Sequence, residues 1–176
     1  MRRVLTLAVP ALLAIAARAQ NGLPVAARQV LEARYPGWRF AELAPHLAHE
    51  LARGQSPAWV AADFDGDARR DYAVQLVAPS APPDSAQQVI ALLARRGRYE
   101  PVLIMAAGIN PGVYLGREPK GGMVVDLEQY DDRHDPSATN GGFVLKHDGL
   151  TVYYAQAAAS TCYYVPPGFR CVVSGD

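Results

Sequence analysis

A run of aspartates between two apolar segments constrains this chain more than any other feature. Residues 63–71 read Asp-Phe-Asp-Gly-Asp-Ala-Arg-Arg-Asp, and apolar residues dominate 58–62 before them and 72–77 after them. The two apolar segments have the length and composition of β-strands, and the glycine and aspartates between them are typical of a tight turn. Four carboxylates in so short a loop repel one another unless a cation compensates them. The sequence therefore predicts a strand-loop-strand unit that holds an ion.

The spacing of the acids favours calcium as that ion. Calcium takes about six to eight oxygen ligands at roughly 2.3 to 2.6 Å and tolerates irregular geometry. By analogy with the twelve-residue calcium loop, the ligands would be four carboxylates and one backbone carbonyl, from Asp63, Asp65, Asp67, Asp71 and, through its carbonyl, Arg69. Position twelve is Val74, so the bidentate glutamate of an EF-hand is absent. The alternatives are magnesium binding, catalytic use of the carboxylates, and a solvated Asp/Gly turn without a metal.

The loop resembles the calcium loops of FG-GAP and VCBS-type repeats, which have an Asp-Phe-Asp/Asn-Gly-Asp-Gly pattern followed by a further aspartate. The match covers residues 58–77. It implies an ion-binding strand-loop-strand unit but not the β-propeller of those families, because a propeller needs at least about four blades and this chain has one such loop. Ala68 replaces a glycine of the pattern. If the backbone there has a positive φ, the alanine costs about 1 kcal/mol.

The first residues have the pattern of an export signal. Two arginines precede an apolar run at 4–17, and a small-x-small cleavage site follows it. The run is shorter than the roughly 20 residues needed to span a bilayer, which favours cleavage over an uncleaved anchor. We expect residues 1–19 to be a cleaved signal peptide and 20–176 to be a single domain, periplasmic or secreted, with no membrane span.

The charge of the exported part argues against a nucleic-acid partner. The chain has 17 basic and 17 acidic residues, and three of the arginines lie in the signal. The exported part is therefore mildly acidic, whereas nucleic-acid-binding proteins neutralise phosphates with an excess of basic residues. We expect a protein or cell-envelope partner instead.

Two cysteines near the end of the chain are placed for a disulfide. Cys162 and Cys171 flank Pro166 and Pro167, so a hairpin that turns at the prolines would set the cysteines opposite each other. An even number of cysteines in an exported chain favours a disulfide. Closing a loop of this size contributes on the order of 2 to 3 kcal/mol.

The periodicity of the remaining residues predicts an α+β fold. Apolar residues at helical spacing predict a helix at 24–35 and a second, short helix at 45–53. Beyond them the chain changes to short strands separated by glycine and proline turns. Three hairpins are expected before the one with the cysteines: 89–94 with 101–105, 113–116 with 123–127, and 143–146 with 150–155. We therefore expect an N-terminal helix or helices packed on a meandering antiparallel β-sheet, which would curl or split into two layers.

Two further groups of polar residues invite a chemical interpretation. His46, His49 and Glu50 would lie on the polar side of the second helix. A solvated face explains them better than zinc, because the metalloprotease helix needs His-Glu-x-x-His. A second group forms an acidic segment and consists of Asp126, Glu128, Asp131, Asp132, His134 and Asp135. A surface loop explains this segment, with a second ion site or an acid-base pair as alternatives.

Together these features favour an exported, calcium-stabilised, non-enzymatic domain that binds its partner through loops or an aromatic sheet face. Four tyrosines alternate as strand residues do, so half should face the core and half outward: Tyr153, Tyr154, Tyr163 and Tyr164. The alternative is a small exported hydrolase in which carboxylates converge with a histidine.

Overall fold

Strands make up most of the regular structure. The computed structural model describes residues 22–49, 51–127, 142–155 and 157–175. The elements in chain order are α1 (Val25–Arg34), β1 (Arg39–Phe40), β2 (Trp59–Ala62), β3 (Asp71–Val77), β4 (Gln87–Arg95), β5 (Arg98–Ala107), β6 (Val113–Glu118), β7 (Met123–Val125), β8 (Gly142–Val144), β9 (Gly149–Tyr154), β10 (Ala159–Val165) and β11 (Gly168–Gly175). Two short 3-10 helices lie at Pro45–Leu47 and Pro83–Ser85.

β3 is the centre of a five-stranded antiparallel sheet. On one side its first residues pair with β2 and its last two with β1. On the other side it pairs with β4, which in turn pairs with β5. All seven residues of β3 are buried, because strands cover both its edges and other elements cover both its faces.

A second antiparallel sheet has the strand order β11-β10-β9-β6. An isolated bridge links the two sheets: Ser56, just before β2, pairs with Leu115 of β6. The N–H of each donates to the C=O of the other at 2.8 Å. β7 and β8 form a separate two-stranded ribbon.

The two sheets pack face to face around a shared core. Phe64 and Leu93 from the first sheet and its loop meet Leu115 and Leu150 from the second, and all four are 0% exposed. A second core covers the opposite face of the five-stranded sheet, where Leu31 of α1 packs. The described residues form a β-sandwich with α1 on its outer face.

The α+β class predicted from the sequence is wrong. The structure is 48% strand and 12% helical, and its described part contains one α-helix, of ten residues. The described part of 45–53 forms only the 3-10 turn Pro45–Leu47. The helical spacing there rests on Leu43, Leu47 and Leu51, and only Leu47 is buried. A short helix with so little apolar surface to bury has no tertiary packing to stabilise it.

Two of the predicted hairpins, 113–116 with 123–127 and 143–146 with 150–155, are also wrong, because their strands pair with other partners. β6 pairs with β9, and β7 pairs with β8. The turn between β6 and β7 does form, with the N–H of Gly122 donating to Pro119 O at 2.9 Å. Gly121 and Gly122 also exchange hydrogen bonds with Leu145, which directs the chain away from β6.

The hairpins with the tightest turns are confirmed. β4 and β5 pair in register from Arg95↔Arg98 onward, with a bulge at Val89. In β10 and β11, Cys162 lies opposite Cys171 as predicted, and the two form a disulfide. A disulfide is consistent with an oxidising compartment. None of the described helices is long and apolar enough to cross a membrane.

Candidate metal centre

The aspartate loop connects β2 to β3 at one end of the sandwich. Phe64, in its second position, is 0% exposed and meets Phe169 of β11 with ring centroids 6.0 Å apart. Its burial in the shared core fixes the loop, so the aspartates on either side of it are held at the rim. Asp71 ends the loop as the first residue of β3.

Three of the five predicted ligands converge. Asp63, Asp65 and Asp71 each offer one carboxylate oxygen, and these oxygens lie within 4.8 Å of one another. The remaining two, Asp67 and Arg69, are bonded to each other: the N–H of Arg69 donates to Asp67 Oδ1 at 2.9 Å, and its Nε lies 3.8 Å from Asp67 Oδ2. Hard oxygen donors of this kind suit calcium or magnesium.

The carboxylate of Asp63 shapes the loop. Its oxygens accept hydrogen bonds from the N–H groups of Gly66 at 2.8 Å and Ala68 at 3.0 Å. These bonds curl the backbone, and both donors have a positive φ, +78° at Gly66 and +64° at Ala68. The positive φ considered for Ala68 is therefore confirmed, with its cost of about 1 kcal/mol.

Asp71 is a buried carboxylate in a polar cradle. It is 0% exposed, and its two oxygens accept from the N–H of Phe64 at 2.9 Å and of Ala94 at 2.7 Å. Burial raises the pKa of Asp71 to about 6, with a smaller contribution from the charges of Asp65 and Asp67, although the two amides oppose the shift. The negative charge of Asp71 is therefore disfavoured mainly because water cannot solvate it.

Arg95 is the internal counter-ion of the loop. Its Nε donates to Asp65 Oδ2 at 3.2 Å, Nη1 to Glu100 at 3.3 Å, and Nη2 to the hydroxyl of Tyr164. The bond to Tyr164 and then the pair with Asp65 hold the pKa of the guanidinium above its ordinary value, against the opposing effect of burial. Arg95 thus connects the loop to β10 in the other sheet.

Asp148 and His147, which the sequence did not single out as site residues, belong to the same region. Asp148 Oδ2 accepts from the N–H of Asp63 at 3.0 Å, and Oδ1 accepts from Arg117 at 2.9 Å and from the N–H of Lys120 at 3.0 Å. Burial alone would raise the pKa of Asp148, but these donors outweigh it and hold the pKa below 3.8. The ring of His147 lies against Gly66, where a Cβ would overlap it.

The residues present fit a divalent cation. Three carboxylates converge from one loop, and burial, with a smaller contribution from the charges of Asp65 and Asp67, raises the pKa of the innermost one, Asp71. Each carboxylate oxygen that accepts one hydrogen bond keeps a second lone pair for a metal. A bound cation would supply charge compensation and would join the loop to the start of β3.

Of the other polar candidates, those that the structure describes lie outside the converging group. His46 and His49 are exposed, as a solvated face requires, and Glu50 lies outside the described residues. Asp126 is buried at 6% exposure. The rest of the acidic segment also lies outside the described residues: Glu128, Asp131, Asp132, His134 and Asp135.

The four tyrosines alternate as predicted. Tyr154 and Tyr164 pack against the shared core. Tyr153 stacks on Tyr114 at 5.0 Å, and Tyr163 meets Phe143 at 4.7 Å. All four are partly buried, so contacts within the domain already cover much of the outward pair.

No protein-family model, curated protein or solved structure matches this chain. The centre is therefore interpreted from its own geometry.

We predict that Gly66→Ala destabilises the fold by about 2 to 4 kcal/mol. An alanine at this positive φ costs about 1 to 2 kcal/mol, and overlap with His147 adds a similar amount. The double variant Gly66→Ala/His147→Ala should regain the free energy of unfolding lost to the overlap but not the part lost to the strained backbone. Urea unfolding of the wild type, both single variants and the double variant separates the two parts. Ala68→Gly is the matched control and should be neutral or stabilising. Equal losses with and without His147 would contradict the contact.

We predict that Asp148→Asn costs about 2 to 3 kcal/mol at neutral pH, because the partly buried N–H groups of Asp63 and Lys120 lose their charged acceptor. A carboxyl group whose pKa is depressed in the folded state stabilises the fold above its unfolded pKa of 3.8 and loses that effect as the pH falls further. The free-energy difference between wild type and variant should therefore be constant above about pH 5 and shrink below about pH 4.

Urea unfolding between pH 2.5 and pH 7 measures this difference. Arg117→Gln is the control and should cost under about 1 kcal/mol, because the Arg117 side chain is half exposed and water screens its pair with Asp148. A difference between wild type and Asp148→Asn that does not change with pH would contradict the assignment.

Proposed function

We propose that this protein is an exported domain in which calcium joins β2 to β3, and that it acts by binding a protein or cell-envelope component rather than by catalysis. The observation that carries the proposal is the convergence of the Asp63, Asp65 and Asp71 oxygens within 4.8 Å. Calcium is the ion proposed because it accepts hard oxygens in the irregular arrangement of a short loop, whereas magnesium demands near-octahedral geometry.

The position of the loop supports a stabilising role for the ion. Asp63 follows the last residue of β2, and Asp71 is the first residue of β3. A cation shared by both would resist separation of the two strands. The ion would also offset the like charges that raise the pKa of Asp71.

The hydrogen bonding of the acids favours this role over the hydrolase alternative. A general acid or base needs a carboxyl group free to exchange a proton with substrate. Asp148, beside His147 in the pocket between β8 and β10, instead accepts from two main-chain N–H groups and Arg117. Asp63 and Asp71 accept from main-chain N–H groups as well.

The export signal at residues 1–19 and the disulfide support an extracytoplasmic location. The signal is proposed from the sequence, and the disulfide between Cys162 and Cys171 is consistent with oxidising conditions.

We predict that calcium raises the midpoint of thermal unfolding by about 5 to 10 °C at roughly 100 times its dissociation constant. A ligand that binds only the folded state stabilises it by about 2.7 kcal/mol at that concentration, and a domain of this size gains about 2 to 4 °C per kcal/mol. Calorimetry in calcium, in magnesium and in excess chelator measures the shift.

Two variants make this test specific. Asp65→Asn removes a converging carboxylate and should abolish the shift, whereas Asp67→Asn, of equal charge change, should keep most of it because Asp67 lies outside the converging group. Equal midpoints in calcium and chelator for the wild type would rule out the ion.

We predict that the immobilised domain retains a component of an envelope extract, and that Asp65→Asn retains less of it in calcium. Affinity capture followed by mass spectrometry measures this retention. Turnover of generic ester, peptide or glycoside substrates that is lost in Asp65→Asn would instead establish the hydrolase alternative.

A further inference from the structure

Three exposed arginines surround the end of the sandwich where the aspartate loop lies. Arg70 directly precedes β3, Arg96 lies in the turn between β4 and β5, and Arg98 is the first residue of β5. The two places are neighbours, because the carboxylate of Asp71 accepts from the N–H of Ala94 at 2.7 Å. We call Arg70, Arg96 and Arg98 the arginine patch.

The arginine patch is not neutralised within the described part of the chain. The ion pairs between an arginine and an acid at this end of the described chain involve Arg95, with Asp65 and Glu100, Arg69, with Asp67, and Arg117, with Asp148, and none involves the arginine patch. The Asp65 side chain is 7% exposed and Asp71 is buried, and the more exposed acids, Asp67 and Glu100, are each paired with an arginine. The exposed charge at this end is therefore positive, although the formal charges of the region nearly balance.

The composition of the arginine patch favours a flat polyanionic surface over a protein interface. A protein interface is centred on buried apolar or aromatic anchors. The exposed large apolar residue of β5 is Leu103, five positions along the strand from Arg98, which at about 3.3 Å per residue is some 16 Å away. None of the three arginines lines the pocket beside α1 or the pocket between β8 and β10.

We infer that the arginine patch docks this domain on an anionic phospholipid membrane. Guanidinium groups form paired hydrogen bonds with phosphate oxygens and hold them without a shaped cavity. The inference names the envelope partner of the proposed function and rests on the proposed export. It does not require the ion site, although a bound calcium would make this end more positive.

The experiment is sedimentation of the purified domain with vesicles of phosphatidylglycerol and phosphatidylcholine, and with phosphatidylcholine alone. Each arginine near an anionic surface strengthens binding about fivefold, so Arg70→Gln/Arg96→Gln/Arg98→Gln should weaken binding on the order of 100-fold. Raising the ionic strength from about 0.01 to 0.1 M shortens the Debye length from about 30 to 10 Å and should also weaken it. Every measurement is made in calcium and in chelator, because calcium itself bridges lipids.

The matched control is Arg34→Gln/Arg39→Gln/Arg53→Gln, which has the same change in net charge on exposed arginines elsewhere. Arg39, for example, lies opposite Val77, at the far end of β3 from Asp71. The control should bind vesicles as wild type does. Circular dichroism and the unfolding midpoint check that both triple variants fold.

Three outcomes would overturn the inference: no binding to anionic vesicles, equal weakening in both triple variants, or arginine-dependent capture of an acidic protein with no vesicle binding. Failure of calcium to raise the unfolding midpoint, with arginine-dependent vesicle binding intact, would reject the ion site alone. Vesicle binding that fails while calcium stabilises the fold would reject this inference alone.

Discussion

The carboxylate of Asp71 is the interaction on which the loop end of the sandwich depends. It is fully buried, and its two oxygens hold main-chain N–H groups from the loop and from β4. A buried N–H without an acceptor costs about 1 to 3 kcal/mol, so losing these bonds would lower the free energy of unfolding. One side chain therefore fixes both where the loop ends and how β4 lies beside it. The same burial raises its pKa to about 6, because a charge is held where water cannot solvate it.

Around Asp71, charged side chains connect the two sheets at their rim. Arg95, at the end of β4, reaches Asp65 in the loop and Tyr164 in β10. Asp148, just before β9, receives the N–H of Asp63, and the N–H of Asp148 donates back to Asp63 O at 3.2 Å. Beneath these contacts Phe64 and Phe169 join the loop to β11 in the core. The loop is thus held by both sheets, which is why a change in its charge balance should affect the stability of the whole domain.

What the sequence predicted correctly is local in the chain. The aspartate loop, α1 and the hairpins β4–β5 and β10–β11 are each encoded within about 20 neighbouring residues, where turn chemistry and periodicity act directly. The two hairpins were wrong because β6 pairs with β9 across a long connection, which no local pattern specifies. The fold class was wrong because the described part of the predicted second helix forms only a 3-10 turn and strands dominate the described residues. Asp148 was missed for the same reason, since its partner Asp63 is 85 residues away and Arg117 is 31 residues away. Its neighbours, a histidine and a glycine, indicate only a turn.

The charges of the loop explain why a divalent ion suits it better than a further arginine would. Four aspartates contribute four negative charges, and two arginines are paired with them, Arg95 with Asp65 and Arg69 with Asp67. The two charges left over belong to Asp63 and Asp71, whose oxygens are satisfied only by neutral N–H groups. Both lie in the converging group, where a third guanidinium would have to fit among oxygens less than 4.8 Å apart. A compact divalent ion fits between these oxygens and neutralises both remaining charges. A planar guanidinium is larger and carries only one positive charge.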